Sequence, residues 1–204
     1  MANSRQIAMA NRYIVKSPNK RVVLYKNASV ADIIKAVVHA DRLSGHFTAR
    51  FAPMLRAGTH RQTLKNVWQF TRRNITYLRD TDGEEVVKSP GKTWEDRTAD
   101  CKSLSVFIAS ILKNLGYEYF YRVVFYDPSS PNQGHIYPIA VLADGEEVPM
   151  DAVNTRFDEE YAYWKAEDYQ HNGKRAGISG PPHTKRRGII VAGLFGLAII
   201  MMAK

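Results

Sequence analysis

The sequence predicts an α+β fold with a central helix packed on an antiparallel sheet, and three observations predict it. From Cys101 onward, Leu104, Phe107, Ile108, Ile111, Leu112 and Leu115 recur at helical spacing, one apolar stripe over three turns. Three stretches rich in aromatic and β-branched residues follow, at 119–126, 135–142 and 146–153, divided by a loop at 127–134 and a turn at Asp144-Gly145. Helices first and a run of neighbouring strands afterwards is the order of an α+β domain, not of alternating βα units.

The other elements follow in chain order. Residues 13–15 and 22–25 are expected to pair as a short hairpin about Ser17-Pro18-Asn19. Ser29 can cap a helix whose apolar face is Val30, Ile33, Ile34, Val37 and Leu43, with Asp32 near the positive end of its dipole. Gly45 and Pro53 bound an irregular stretch. A second helix from near Thr59 carries Leu64, Val67, Trp68 and Phe70, then gives way to extended chain near Ile75-Thr76-Tyr77. Asp82-Gly83 and Ser89-Pro90-Gly91 read as turns on a polar loop. Asp100 is a good N-cap for the central helix and Gly116 a good residue just past its end. The acidic aromatic stretch with Tyr161, Tyr163, Trp164 and Tyr169 reads as a helix packed on the sheet. The expected organisation is a basic arm or hairpin at 1–26, a domain at 27–170, a basic flexible linker at 171–187 and an apolar helix at 188–203.

Charge and cysteine count narrow the function. One cysteine in 204 residues excludes an internal disulfide framework and a Cys-based zinc site. The six histidines form no metal-ligand spacing, so neither a metal nor another cofactor is expected. The net charge is +9, but six of the 29 bases lie in 1–26 and six in 171–204, where there is no acid. The middle therefore holds 17 bases against all 20 acids. That argues against a folded basic reading surface and leaves basic arms that can touch a polyanion or a membrane. The first residues contain no apolar run of the secretory-signal kind.

Cys101 heads the strongest helix, where unpaired backbone N–H groups and the dipole favour a thiolate and can later hold an oxyanion. His135 opens a strand and Asp151 lies on the next, so the chain order is Cys, His, Asp. A thiol, a base beside it and a carboxylate orienting the base are the parts of acyl transfer through a thioester. The same residue types also describe a structural core cysteine with an unrelated histidine and aspartate. A two-residue turn at Asp144-Gly145 would put His135 and Asp151 on opposite faces. A three-residue loop, Ala143-Asp144-Gly145 with Gly145 in the left-handed region, sets Asp151 opposite Tyr137 and diagonal to His135. Asn132 and Asn154 are the alternative orienters. The Trp94 indole is a possible second oxyanion donor, although a buried packing tryptophan explains it as well.

A resemblance covers roughly residues 60–155. It rests on Asn74-Ile-Thr-Tyr77, on Ala99-Asp-Cys-Lys-Ser-Leu-Ser-Val-Phe-Ile-Ala-Ser-Ile-Leu-Lys-Asn-Leu-Gly-Tyr117, on Gly134-His-Ile-Tyr137 and on Met150-Asp-Ala-Val153. Together these resemble the transglutaminase-like superfamily, which is built on the papain-like cysteine-enzyme core. The run through Val67-Trp-Gln-Phe70, Asn74 to Asp80, Lys88-Ser-Pro90 and Trp94-Glu-Asp-Arg97 is similar to members encoded by phages and mobile elements. The resemblance implies Cys101 as nucleophile, His135 as base and Asp151 as orienter. Four positions depart from the pattern: Lys102-Ser103 follows Asp100-Cys101 where relatives carry acids, Pro138 interrupts the histidine strand, and Ala152 replaces a proline.

The chain then runs through Lys185-Arg186-Arg187 into sixteen uncharged residues, 188–203, before Lys204. As a helix these span about 24 Å, short of the roughly 30 Å hydrocarbon core, a gap that snorkelling Lys and Arg can close. Gly188, Ala192 and Gly196 form a small-residue ridge suited to helix–helix self-association. Bases before the span favour a domain kept on the cytoplasmic side, or the equivalent side of a virion membrane. Two functions are open at this stage. One is a membrane-anchored cysteine enzyme acting on a peptide or peptidoglycan amide. The other, implied by the phage resemblance, is a non-catalytic structural component of a virion that uses the same fold for binding, with the basic N-terminal arm touching nucleic acid or capsid protein.

Overall fold

The computed structural model describes residues 2–179 apart from 18, 20, 26, 27, 81–83, 131 and 132. In chain order its elements are α1 (Ala2–Tyr13), β1 (Arg21–Tyr25), α2 (Val30–Arg42), α3 (Gly45–Thr48), a 3-10 turn at Ala52–Leu55, α4 (His60–Asn74), β2 (Thr76–Tyr77) and β3 (Glu84–Lys88). Then come α5 (Pro90–Asp96), β4 (Thr98–Ala99), α6 (Cys101–Leu115), β5 (Glu118–Phe125), β6 (Gly134–Val141), β7 (Glu147–Pro149), β8 (Lys165–Gln170) and β9 (Arg175–Ser179). The last five strands form one antiparallel sheet in the order β7-β6-β5-β8-β9. Helices gathered on an antiparallel sheet are the α+β arrangement the chain order predicts.

Helix α6 is the axis of the molecule. Asp100 caps it by accepting from the Ser103 N–H at 2.9 Å, and Gly116 ends it with φ +80°, a conformation that favours glycine. It packs on β5 and β6 on one side and on α2, α3 and α5 on others. Burial therefore extends round the whole helix, beyond its apolar stripe. The serines off the stripe are consistent with that, because each is hydrogen-bonded. The Ser103 hydroxyl accepts from the Lys88 N–H at 3.1 Å, and Ser110 donates to the Phe107 carbonyl at 2.7 Å. One continuous core runs from Ala10 and Ile14 of the N-terminal region through Phe51, Phe70, Trp94 and Phe107 to Ile136 and Met150.

Four expectations are corrected. Residues 13–15 do not pair with 22–25. Residues 2–13 are helical, and β1 pairs antiparallel with β3, from Arg21↔Lys88 to Tyr25↔Glu84. The supposed polar loop between the two turn signals is thus a strand, with Val86 and Val87 buried, and Ser89-Pro90 caps and starts α5. The presumed linker begins as a hairpin: Gly173 has φ +81° and its N–H donates to the Gln170 carbonyl, while β9 pairs with β8. An Asn-Gly pair is the chemistry of a tight hairpin, and the polar composition around it concealed the strand. The aromatic stretch after residue 160 is coil leading into β8, not a helix. Its acids meet bases across the sheet, as where Asp168 accepts from the Arg122 Nε at 2.8 Å. The apolar segment 188–203 with Gly188, Ala192 and Gly196, and Asn132, lie outside the described residues. Among the described residues no helix is long and apolar enough to cross a membrane.

Candidate active site

Strand β6 turns back into β7 through Ala143-Asp144-Gly145. Gly145 lies at φ +82°, its N–H donates to the Leu142 carbonyl at 2.9 Å, and Ile139 pairs with Pro149. This is the three-residue loop, and its register carries on past β7, where the Met150 N–H donates to the Pro138 carbonyl at 2.9 Å. The proline costs little: it pairs with Tyr121 of β5 without breaking the β5–β6 ladder, and its missing N–H falls on the side of β7, which ends there.

The register brings His135 and Asp151 together. The Asp151 Oδ2 lies 3.0 Å from the His135 Nε2, and its Oδ1 accepts from the Val153 N–H at 2.9 Å. Both residues are buried, at 3% and 6% exposure, so their pairing is poorly screened by water. Burial is the largest influence on the imidazole and disfavours its charged form, yet Asp151, with a smaller contribution from Cys101, outweighs it. The proton affinity of His135 is raised to about 10. The second ring nitrogen, Nδ1, is buried without a close hydrogen-bond partner. Cys101, half-buried at the head of α6, interacts with the ring, so the thiol–imidazole contact is looser than a formed hydrogen bond.

Three residues that the spacing did not single out hold this arrangement. The Ser105 hydroxyl lies 2.8 Å from the Cys101 carbonyl and 3.0 Å from the Ile136 carbonyl, tying the first turn of α6 to the residue after His135. The Trp68 indole donates to the Asp151 carbonyl at 2.7 Å. Arg72 donates through Nη1 to the carbonyls of Ala152, Val153 and Asn154, at 3.2, 3.0 and 2.9 Å. Each looks like an ordinary helix residue until its partner across the fold is known. Asn154 holds its own loop by donating to the Glu159 carbonyl at 2.7 Å, and does not bond His135. Trp94 stacks against Phe70 and Phe107 in the core, at 1% exposure, and its indole N–H is buried without a hydrogen-bond partner among the described residues.

Tyr77 lies near the thiol. Burial, then the neighbouring Cys101 and Asp100, keep its phenol protonated, and its hydroxyl has no hydrogen-bond partner among the described residues. Behind the imidazole, Tyr126 and Tyr137 face the ring at centroid distances of 6.4 and 5.4 Å, and the Tyr137 hydroxyl donates to Glu160 at 2.7 Å. Asp80, Glu85 and Asp100 converge closely enough to share a cation. Lys102, the departure from the acidic pattern, places its ammonium among them and pairs with all three. The group is a partly buried charge cluster beside the site, with its cation built in.

Chemically, the arrangement sets a thiol at a helix N-terminus beside an imidazole that is cationic at neutral pH and fixed by a buried carboxylate. A crystal structure described as a candidate protease from Parabacteroides distasonis superposes with a TM-score of 0.53 at 10% identity, over 74% of this chain and 31% of its own. The fold is shared with that protein. A candidate cysteine protease from Cytophaga hutchinsonii is more weakly similar (TM-score 0.38, 12% identity, 71% of this chain, 42% of its own), as is a TGase (0.37, 16%, 64% and 33%). The chain spans less than half the length of each of these structures. No family model and no curated protein matches the sequence.

Proposed function

We propose that the protein is a transglutaminase-like cysteine enzyme that cleaves or transfers an amide acyl group through a thioester at Cys101. The observation that carries this reading is the buried His135–Asp151 pair, presented to a half-buried cysteine at the head of a helix. The Cys101 sulfur attacks the amide carbon, a C–S bond forms, and the carbonyl electron pair moves onto oxygen. The N–H groups at the head of α6 face that oxyanion, and the Tyr77 hydroxyl, which has no hydrogen-bond partner among the described residues, is the second donor. The oxyanion collapses, the C–N bond breaks, and the imidazolium gives its proton to the departing amine. The neutral imidazole then takes a proton from the water or amine that attacks the thioester, and the thiolate leaves. Asp151 holds the ring and balances its charge throughout. The description of a protein of the same fold as a candidate protease agrees with this chemistry.

The finer reading places the enzyme at a membrane through 188–203, supported by sixteen uncharged residues flanked by bases. Intact-mass analysis after brief iodoacetamide treatment at neutral pH tests the catalytic reading. Cys101 should label faster than a free thiol, and His135→Ala should slow it. Labelling of the parent protein no faster than that of a free thiol leaves the fold as a binding module.

A further inference from the structure

A cleft of about 530 Å³ lies between the last turns of α4 and the 152–153 segment after Asp151, and reaches α6 at the turn that follows Cys101. Leu104, one helical turn beyond Cys101, lines it, as does Tyr77. Its lining contains Arg72 and Arg73 and no acid, in a stretch of chain where acids outnumber bases. The place of both arginines in the last turn of α4 suits the helix dipole. The dipole does not account for the missing acid partners. Arg72 is fixed: its Nη1 is spent on three carbonyls and its guanidinium lies 5.9 Å from the Trp68 ring centroid, while Nε and Nη2 have no partner among the described residues. Arg73 has no ion pair among the described residues. A preorganised fork of N–H donors suits a carboxylate.

Resting on the thioester reading above, we infer that this cleft binds a carboxylate of the substrate, so that the enzyme selects peptides bearing a free carboxylate close to the amide it attacks. The carboxylate can be a chain terminus or an acidic side chain. The recognising chemistry is the same, and the arginines rather than the catalytic pair supply it.

Two measurements on the full chain test this. In the first, Cys101 is alkylated by iodoacetate and by iodoacetamide, reagents that differ in the carboxylate. The ratio of the two rates should fall about threefold to tenfold in Arg73→Gln, the range for a partly exposed charge-assisted contact. It should stay at the parent value in Lys65→Gln, an equal charge loss on α4 outside the cleft. The His135 imidazolium attracts iodoacetate equally in all three proteins. A ratio that does not change in Arg73→Gln overturns the inference. In the second, Cys101→Ser is titrated with N-acetylglycine, with the α-amide of N-acetylglutamate and with N-acetylglycine amide, read at the Trp68 indole N–H by NMR. Saturable shifts with either carboxylate and none with the neutral amide support the site, and the tighter of the two identifies the carboxylate's source. No shift with either carboxylate overturns it. Carboxylate binding with an unreactive thiol in the parent protein removes the catalytic reading and keeps the cleft. A reactive thiol without carboxylate binding does the reverse.

Discussion

At the scale of single residues, His135 decides how the protein responds to pH. Its proton affinity in the fold is raised to about 10, against about 6.5 for an unfolded histidine. A group held above its unfolded value stabilises the fold when protonated. The contribution is complete below about pH 6.5 and disappears as pH rises through about 10. Thermal melts between pH 6.5 and 10.5 should therefore fall more steeply for the parent protein than for His135→Gln, and parallel curves would contradict the raised affinity. Asp151→Asn keeps the shape of the orienter and removes its charge. The imidazole titration followed by NMR should move down towards 6.5, and thioester formation should slow by about 10⁴, the drop for the same change in a serine triad. Tyr77→Phe removes one oxyanion donor, and turnover should drop by about 10²–10³ with little change in melting temperature, because the hydroxyl has no hydrogen-bond partner among the described residues. Unchanged turnover would return the second donor to some other group.

At the scale of elements, the site depends on how α6 is joined to β6. Ser105 is the joint, since its one hydroxyl lies within hydrogen-bonding distance of a carbonyl on each side. Ser105→Ala leaves the Ile136 carbonyl short of a partner at a cost of about 1 kcal/mol, and should lower turnover more than that loss of stability explains. Equal melting temperatures and equal turnover in the two proteins would show that the joint is not needed. Much at this scale was legible in the sequence. The stripe from Leu104 to Leu115 with its Asp100 and Gly116 caps specified α6, and Asp144-Gly145 marked the turn, whereas its length, and with it the face of Asp151, is decided by the register of Ile139 opposite Pro149. What was hidden is non-local. β1 meets β3 across about sixty residues, and an alternating pattern names no partner when the mate is far away, so the nearest strand-like segment was the natural guess. Trp68, Arg72 and Ser105 were hidden for the same reason: their helical positions are unremarkable, and only the fold brings them to the carbonyls they bind.

At the scale of the whole molecule, the helices supply the thiol, the sheet supplies the base, and the irregular chain just past β7 supplies its carboxylate, so the site lies on the seam between two layers. Arg61 bridges that seam to Glu146 at 2.7 Å and to Asp158, beside the Trp68 and Arg72 contacts. Strand β9 closes one edge of the sheet, so a chain ended at 170 should melt well below one ended at 180, which retains every described element. The full chain adds 188–203 to that body. Eight of its residues, Ile189, Ile190, Val191, Leu194, Phe195, Leu197, Ile199 and Ile200, each favour insertion by about 0.3–0.6 kcal/mol, together about 2–5 kcal/mol. That is enough for a span helped by Lys185, Arg186 and Arg187 at its border, and the three bases alone would give a different kind of attachment. Charge attraction to anionic lipid is screened at 1 M salt, where the Debye length is about 3 Å, whereas apolar insertion is not. In flotation with vesicles containing anionic lipid, the full chain should rise with the lipid at both low and 1 M salt, and the chain ended at 180 should stay below at 1 M salt. Release of the full chain at 1 M salt would reduce the segment to a basic contact, and a full chain that never floats would remove the anchor.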